Sequence, residues 1–168
     1  MVKHILVPLD RSEYSEKELG FAIDLAQTTG ARISLLTVIL RFGVVLPSRQ
    51  QLEESGRSHI RDYLHPIRDR LVEQGLQVSA HVDFGNPADA IADFANQEKV
   101  DLIVMSTHGV GSRGAYALGS VAMKVVQIAP CPVTMYRTVE AASASRHTAQ
   151  ERLGHHLSVT VSDKVSAS

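Results

Sequence analysis

The sequence has no tryptophan, one cysteine, four phenylalanines and four tyrosines in 168 residues. Its core therefore has to come from Val, Ile, Leu and Ala, and a hydrophobic content of 44% supplies enough of them. The single cysteine, Cys131, excludes an intrachain disulfide and fits a reducing compartment. Neither sign of charge is in excess: 17 basic and 18 acidic residues leave a net charge of −1. That balance gives no ground for nonspecific binding to nucleic acid or to an anionic membrane. No apolar run approaches the roughly 18 residues of a membrane span. Ile5 to Leu9 is too short for a signal-peptide core, and Asp10 ends it. These absences lead to the expectation of a soluble, cytoplasmic protein.

One further absence is local. From Leu102 to Val139 there is no Asp or Glu. Within that gap, Met105 to Ser120 holds four glycines in sixteen residues, several hydroxyls and one arginine, Arg113.

What is present is an alternation of strands and helices. His4-Ile-Leu-Val-Pro-Leu reads as a short buried strand closed by Pro8 and Asp10. Ser12 or Ser15 can cap a helix whose apolar stripe is Leu19, Ala22, Ile23 and Ala26, with Gly30 as its stop. Ile33 to Leu40 is a second strand, and Arg41 to about Gln50 is irregular. Ile60, Leu64, Ile67 and Leu71 mark a helix ended by Gly75, with Pro66 expected to kink or interrupt it. Leu76, Val78, Ala80 and Val82 alternate as a third strand. Asn86-Pro87 reads as an N-cap followed by proline at the first helical position, before a helix buried through Ala88, Ile91, Ala92 and Ala95. Leu102 to Met105 is a fourth strand, Val121 to Ile128 a helix, and Val133 to Tyr136 a fifth strand. Continuous apolar strands joined by helices imply an α/β fold, with a parallel sheet covered on both faces. The expected domain covers 1–138. Residues 139–168, rich in Ser, Ala, Thr and His, are expected to be a low-complexity, flexible tail, with a short edge strand at Leu157, Val159 and Val161 as the alternative.

Ligands of open parallel sheets bind beyond the carboxyl ends of the strands. The glycine-rich stretch begins there. Glycines bring backbone N–H groups close to an anion. Gly119-Ser120 opens a helix whose N-terminus offers free donors and partial positive charge. Ser120 adds a hydroxyl, Arg113 adds charge, and no carboxylate of the stretch repels. These features point to a phosphate site. Neither a P-loop nor the usual dinucleotide fingerprint is present.

On these residues the chain resembles the nucleotide-binding subgroup of the universal stress protein family, whose motif is G-x2-G-x9-G-[ST]. Ser106-x2-Gly109-x9-Gly119-Ser120 matches it at three of four positions, with Ser106 in place of the first glycine. Ile5-Leu-Val-Pro-Leu-Asp10-Arg-Ser12-Glu, Gly85-Asn-Pro-Ala, Asp101 to Gly109 and Ala129-Pro-Cys-Pro-Val are similar to the family's other signatures, so the resemblance runs nearly from Met1 to Arg137. It implies an open five-stranded parallel sheet in the order 3-2-1-4-5 with helices on both faces, Rossmann-like and of the adenine nucleotide alpha hydrolase type. It implies ATP as ligand, with or without Mg²⁺. Pro8 and Asp10 would sit beside the nucleoside, and the backbone of Val38 would meet the adenine. Ser106, Gly109, Ser112, Gly119, Ser120 and Val121 would surround ribose and phosphates. It further implies a homodimer through the last strand, Val133 to Tyr136, alongside protein partners that the sequence does not name.

Other residues admit two readings. Asp10 can hold the nucleoside or Mg²⁺, or simply shape a turn. His108 can reach phosphate or brace its own loop. Cys131 lies between two prolines and is expected to be a packed side chain. His155-His156 lacks a third metal ligand. Phe42 to Leu46 is either local packing or a partner or lid surface. No base placed to activate water and no pair of acids for two metals accompanies the glycine-rich stretch. The expected function is therefore an ATP-binding regulatory module of the stress response. Slow ATP hydrolysis or nucleotidyl transfer, and a nucleotide-free dimeric interaction protein, are the alternatives.

Overall fold

The computed structural model describes residues 1–40, 48–107 and 119–136. Five strands form one parallel sheet: β1 (His4–Pro8), β2 (Arg32–Ile39), β3 (Val78–Phe84), β4 (Leu102–Ser106) and β5 (Val133–Tyr136). Their spatial order is β3-β2-β1-β4-β5. The chain steps outward from β1 in one direction, then returns to pair β4 on its other side, with Ile5 opposite both Ile33 and Leu102. Each crossover is a helix or carries one: α1 (Glu13–Thr29), α2 (Arg49–His59), α3 (His65–Glu73), α4 (Pro87–Gln97) and α5 (Ser120–Ile128).

Strand alternation sends successive side chains to opposite faces, so the sheet has two cores. Ile5, Val7, Ile33 and Leu35 pack with Leu19, Ala22 and Ala26 of α1 and with Leu64, Ile67 and Leu71. Leu6, Leu36, Ile103 and Met105 pack on the other face with Ala88, Ile91 and Ala95 of α4 and Ala122 and Val125 of α5. Ile5, Leu6 and Val7 are each 0% exposed, which explains why β1 reads as a continuous apolar run rather than an alternating one.

The element boundaries follow local chemistry. Gly30 and Gly75 end α1 and α3 with φ of +73° and +84°, the left-handed conformation that glycine adopts without cost. Asn86 caps α4, its side-chain oxygen accepting from the N–H groups of Ala88 and Asp89. Ser48 and Gln51 form a reciprocal capping box that starts α2.

Two expectations need correction. Arg49 and Gln50, read as the end of an irregular stretch, are the first turn of α2. The signal was the Ser48-x-x-Gln51 box, which an apolar-periodicity reading passes over because α2 has a single leucine. Leu76 is buried ahead of β3 rather than within it, since the strand starts at Val78. Pro66 does interrupt its helix, through a π-helical turn at Ile60–Leu64. The N–H of His65 donates to the carbonyl of Ile60, and the widened turn lets proline follow inside the first turn of α3. Among the described residues, no helix is long and apolar enough to cross a membrane.

Candidate functional site

β1 and β4 are neighbours, and both run in the same direction, so Pro8 and Ser106 end at the same edge of the sheet. This is where the strand order reverses. The chain leaves β4 at Thr107 and re-enters the described structure at Gly119, whose N–H donates to the Thr107 carbonyl at 2.8 Å. That bond sets the start of α5 directly beside the carboxyl end of β4.

Gly119 is the N-cap of α5, and no side chain caps this helix. No acidic residue occupies its first turn. The first intrahelical bond runs from the N–H of Met123 to the Gly119 carbonyl at 2.9 Å, so Ser120, Val121 and Ala122 present N–H groups without an intrahelical acceptor. A missing side-chain cap at a glycine, next to a serine, is the geometry that lets an anion serve as the cap. Gly119 has φ −59° and ψ 148°, ordinary extended backbone, so its value at this point lies in the space left by a missing Cβ.

The other expected residues divide as follows. Pro8 ends β1 and is half-buried, and Val38 lies near the end of β2 on the α4 and α5 side. Asp10 is exposed just beyond β1, and its Oδ1 accepts from the Ser12 N–H at 3.0 Å and from the Ser12 hydroxyl at 2.6 Å. That bond pair shapes the turn into α1. Ser106, Gly119, Ser120 and Val121 converge at the β4–α5 junction. Gly109, Ser112, Arg113 and His108 lie outside the described residues, as do Phe42 to Leu46 and His155-His156. Cys131 is half-buried against the α5-side core, and burial pushes its thiol pKa up, which suits a packed side chain. Among the described residues, no three His, Cys, Asp or Glu side chains converge as a metal-binding set.

One residue beside the candidate site escaped the sequence reading. Glu18, on α1, is 0% exposed, and neither carboxyl oxygen has a hydrogen-bond partner among the described residues. Its neighbours are Ser106, through both hydroxyl and main chain, and the charge of Asp10. Burial pushes its pKa up to about 9, the Asp10 charge adds to the rise, and Ser106 only partly opposes it. The stretch without acids in sequence thus has an acid beside it in space, and that acid is neutral at pH 7. The signal was available: Glu18 lies four and eight residues before Ala22 and Ala26, on the stripe that α1 buries.

Comparison with known proteins agrees with this architecture. The family model described as the universal stress protein family matches residues 1–137. A universal stress protein of Thermus aquaticus is 34% identical over 147 residues, covering 82% of this chain and all of the relative. The structure of universal stress protein UspA from Lactobacillus plantarum superposes with a TM-score of 0.71 at 27% identity, over 81% of this chain and 98% of that one. The universal stress protein of Archaeoglobus fulgidus, solved in complex with dAMP, shares the fold at a TM-score of 0.58 and 21% identity, over 80% and 97% of the two chains. With the sheet order, the β4–α5 junction and this match along the chain in agreement, the protein belongs to the universal stress protein family.

Proposed function

We propose that this protein is an ATP-binding regulatory module of the stress response, acting through its nucleotide state and through dimerisation. The observation that carries the reading is the start of α5: a glycine N-cap with no side-chain cap, fixed by the Thr107–Gly119 bond beside the β1–β4 switch point. A phosphate there accepts hydrogen bonds from the first N–H groups of α5 and from the Ser120 hydroxyl. Ser106 and Val121 flank ribose and phosphates with Gly109 and Ser112, and Arg113 supplies positive charge. Pro8 and Asp10 border the nucleoside, and the main chain of Val38 meets the adenine. The dAMP complex of the Archaeoglobus fulgidus protein supports an adenine nucleotide as a ligand that this fold accepts.

In this reading binding rather than turnover is the output: among the described residues, the carboxyl of Glu18 beside Ser106 is held neutral by burial. The outer side of β5, unpaired among the described residues, joins a second copy. The test is direct. Protein purified without added nucleotide is denatured, and the released small molecules are identified by chromatography and mass spectrometry, with calorimetric titration of ATP alongside. The expected result is an adenine nucleotide released, or ATP bound, in a one-to-one ratio with the protomer. No released nucleotide together with no binding at about 1 mM ATP, roughly −4 kcal/mol, would overturn the proposal.

A further inference from the structure

A buried carboxyl group without a hydrogen-bond partner demands a physical account, because burial of an unsatisfied polar group is costly. Glu18 is such a group. It is fully buried, both oxygens are unpartnered among the described residues, and its polar neighbours, Ser106 and Asp10, are both residues of the nucleotide site. A leucine at this place on the α1 stripe would pack without that cost.

We propose that Glu18 is a proton-linked positioning residue of the nucleotide site: its buried carboxyl sets the hydrogen-bonding direction of the Ser106 hydroxyl and makes binding of a phosphate-bearing ligand depend on pH. This rests on the nucleotide-binding reading above.

The chemistry runs in two directions. A neutral carboxyl carries an O–H that a small side-chain rotation offers to the nearby Ser106 oxygen, which would direct the serine's own hydrogen away from Glu18 and toward an acceptor at the end of β4. An ionised carboxylate can only accept, so it turns the serine O–H back toward itself. It also places a negative charge beside the phosphate site, in surroundings of low dielectric. Both effects oppose an anionic ligand. A raised pKa, about 9, keeps the first state populated at pH 7.

Of the groups around Glu18, Asp10 contributes charge of the same sign, and β4 contributes the uncharged Ser106. Arg11, next to Asp10 in sequence, places its guanidinium 5.2 Å from the centre of the Tyr63 ring and near His59. From β5, Tyr136 meets the ring of Phe21, one turn further along α1. Among the described residues, no cation figures in the surroundings that set the charge state of Glu18. By linkage, a bound phosphate must in turn raise the pKa of Glu18 further.

The experiment measures ATP affinity by calorimetry for the wild type, Glu18→Gln and Glu18→Ala at pH 8, 9 and 10, where ATP's own phosphates no longer titrate. Folding of each protein is checked by circular dichroism. Wild-type affinity should fall about tenfold from pH 8 to pH 10, as one proton is lost around pH 9. Glu18→Ala should bind more weakly than wild type at pH 8. Glu18→Gln, which keeps a neutral donor, should restore most of that affinity and show a flat profile. Carboxyl ¹³C NMR of the wild type gives a readout that does not depend on the variants folding: the Glu18 resonance should titrate near pH 9, and at higher pH with ATP bound. A flat wild-type profile with intact ATP binding, or a Glu18 titration that ATP leaves unmoved, overturns this inference alone. Absence of ATP binding at every pH overturns the nucleotide reading and this inference with it.

Discussion

The main-chain N–H of Gly119 reaches the carbonyl of Thr107 at 2.8 Å, tying the start of α5 to the end of β4. Two residues from either end of the joining segment are thereby fixed side by side, and α5 starts beside the carboxyl end of β4.

Replacing Gly119 by valine tests this arrangement. The backbone at Gly119 is ordinary extended, which valine accepts, so the fold should survive with a loss of about 1 kcal/mol from the poorer N-cap. The added side chain would stand where an anion approaches. ATP affinity should fall more than tenfold by calorimetry. Unchanged affinity would remove α5 from the site.

Stability should fall on the alkaline side because of Glu18. Its pKa is raised from 4.5 to about 9 on folding, so between these values the native state holds a proton that the unfolded state has lost. The contribution is fully present below pH 4.5, shrinks steadily as pH rises above it, and is gone beyond about pH 9. Glu18→Gln removes this slope. Urea melts of both proteins at pH 6 and pH 9 would measure it, and parallel slopes would show that the carboxyl is not held neutral.

Stability should also fall on the acid side because of His4. This histidine is 3% exposed; its Nδ1 accepts from the Arg32 guanidinium at 2.9 Å and its Nε2 donates to the Ser34 hydroxyl at 2.8 Å. Burial lowers its pKa, and the Arg32 charge lowers it further. The unfolded state then binds a proton near pH 6.5 that the native state refuses, so stability drops as pH falls below 6.5. His59 and His81 shift the same way, also chiefly through burial. His4→Gln should flatten part of this loss in urea melts between pH 7 and pH 5. An unchanged profile would show that His4 titrates normally in the fold.

Dimerisation can be probed at β5 with a choice that the ladder itself makes. The carbonyls of Pro132 and Tyr136 accept from the N–H groups of Ile103 and Thr107, each at 3.0 Å. By strand alternation Thr134 also faces β4, and the N–H groups of Val133 and Met135 point to the side of β5 that carries no strand among the described residues. Met135→Pro should therefore weaken a homodimer while leaving the β4 ladder intact. Light scattering is expected to show a dimeric wild type and a monomeric variant that still binds ATP. A wild type that stays monomeric at tens of micromolar, about the range of weak dimers, would remove the edge-pairing proposal.

Much of this was legible in the sequence, because it depends on contacts close along the chain. The apolar runs at Ile5, Ile33 and Leu102 mark strands buried on both faces, and Asn86-Pro87 and the glycines at 30 and 75 mark helix ends, since each acts on its own backbone. Gly119-Ser120 marked a helix start for the same reason. The order of the strands is a different matter: local pattern gives a parallel sheet, and only the resemblance to a family supplied 3-2-1-4-5, because the pairing of β1 with β4 joins residues nearly a hundred positions apart. Which β5 amides face outward was likewise decided by the register against β4. Glu18 shows the boundary most clearly. Its place on the apolar stripe of α1 could be counted from the sequence, but what it faces could not. Its proton is held by burial beside Asp10 and Ser106, and a charge state set by distant neighbours exists only once the chain has folded around it.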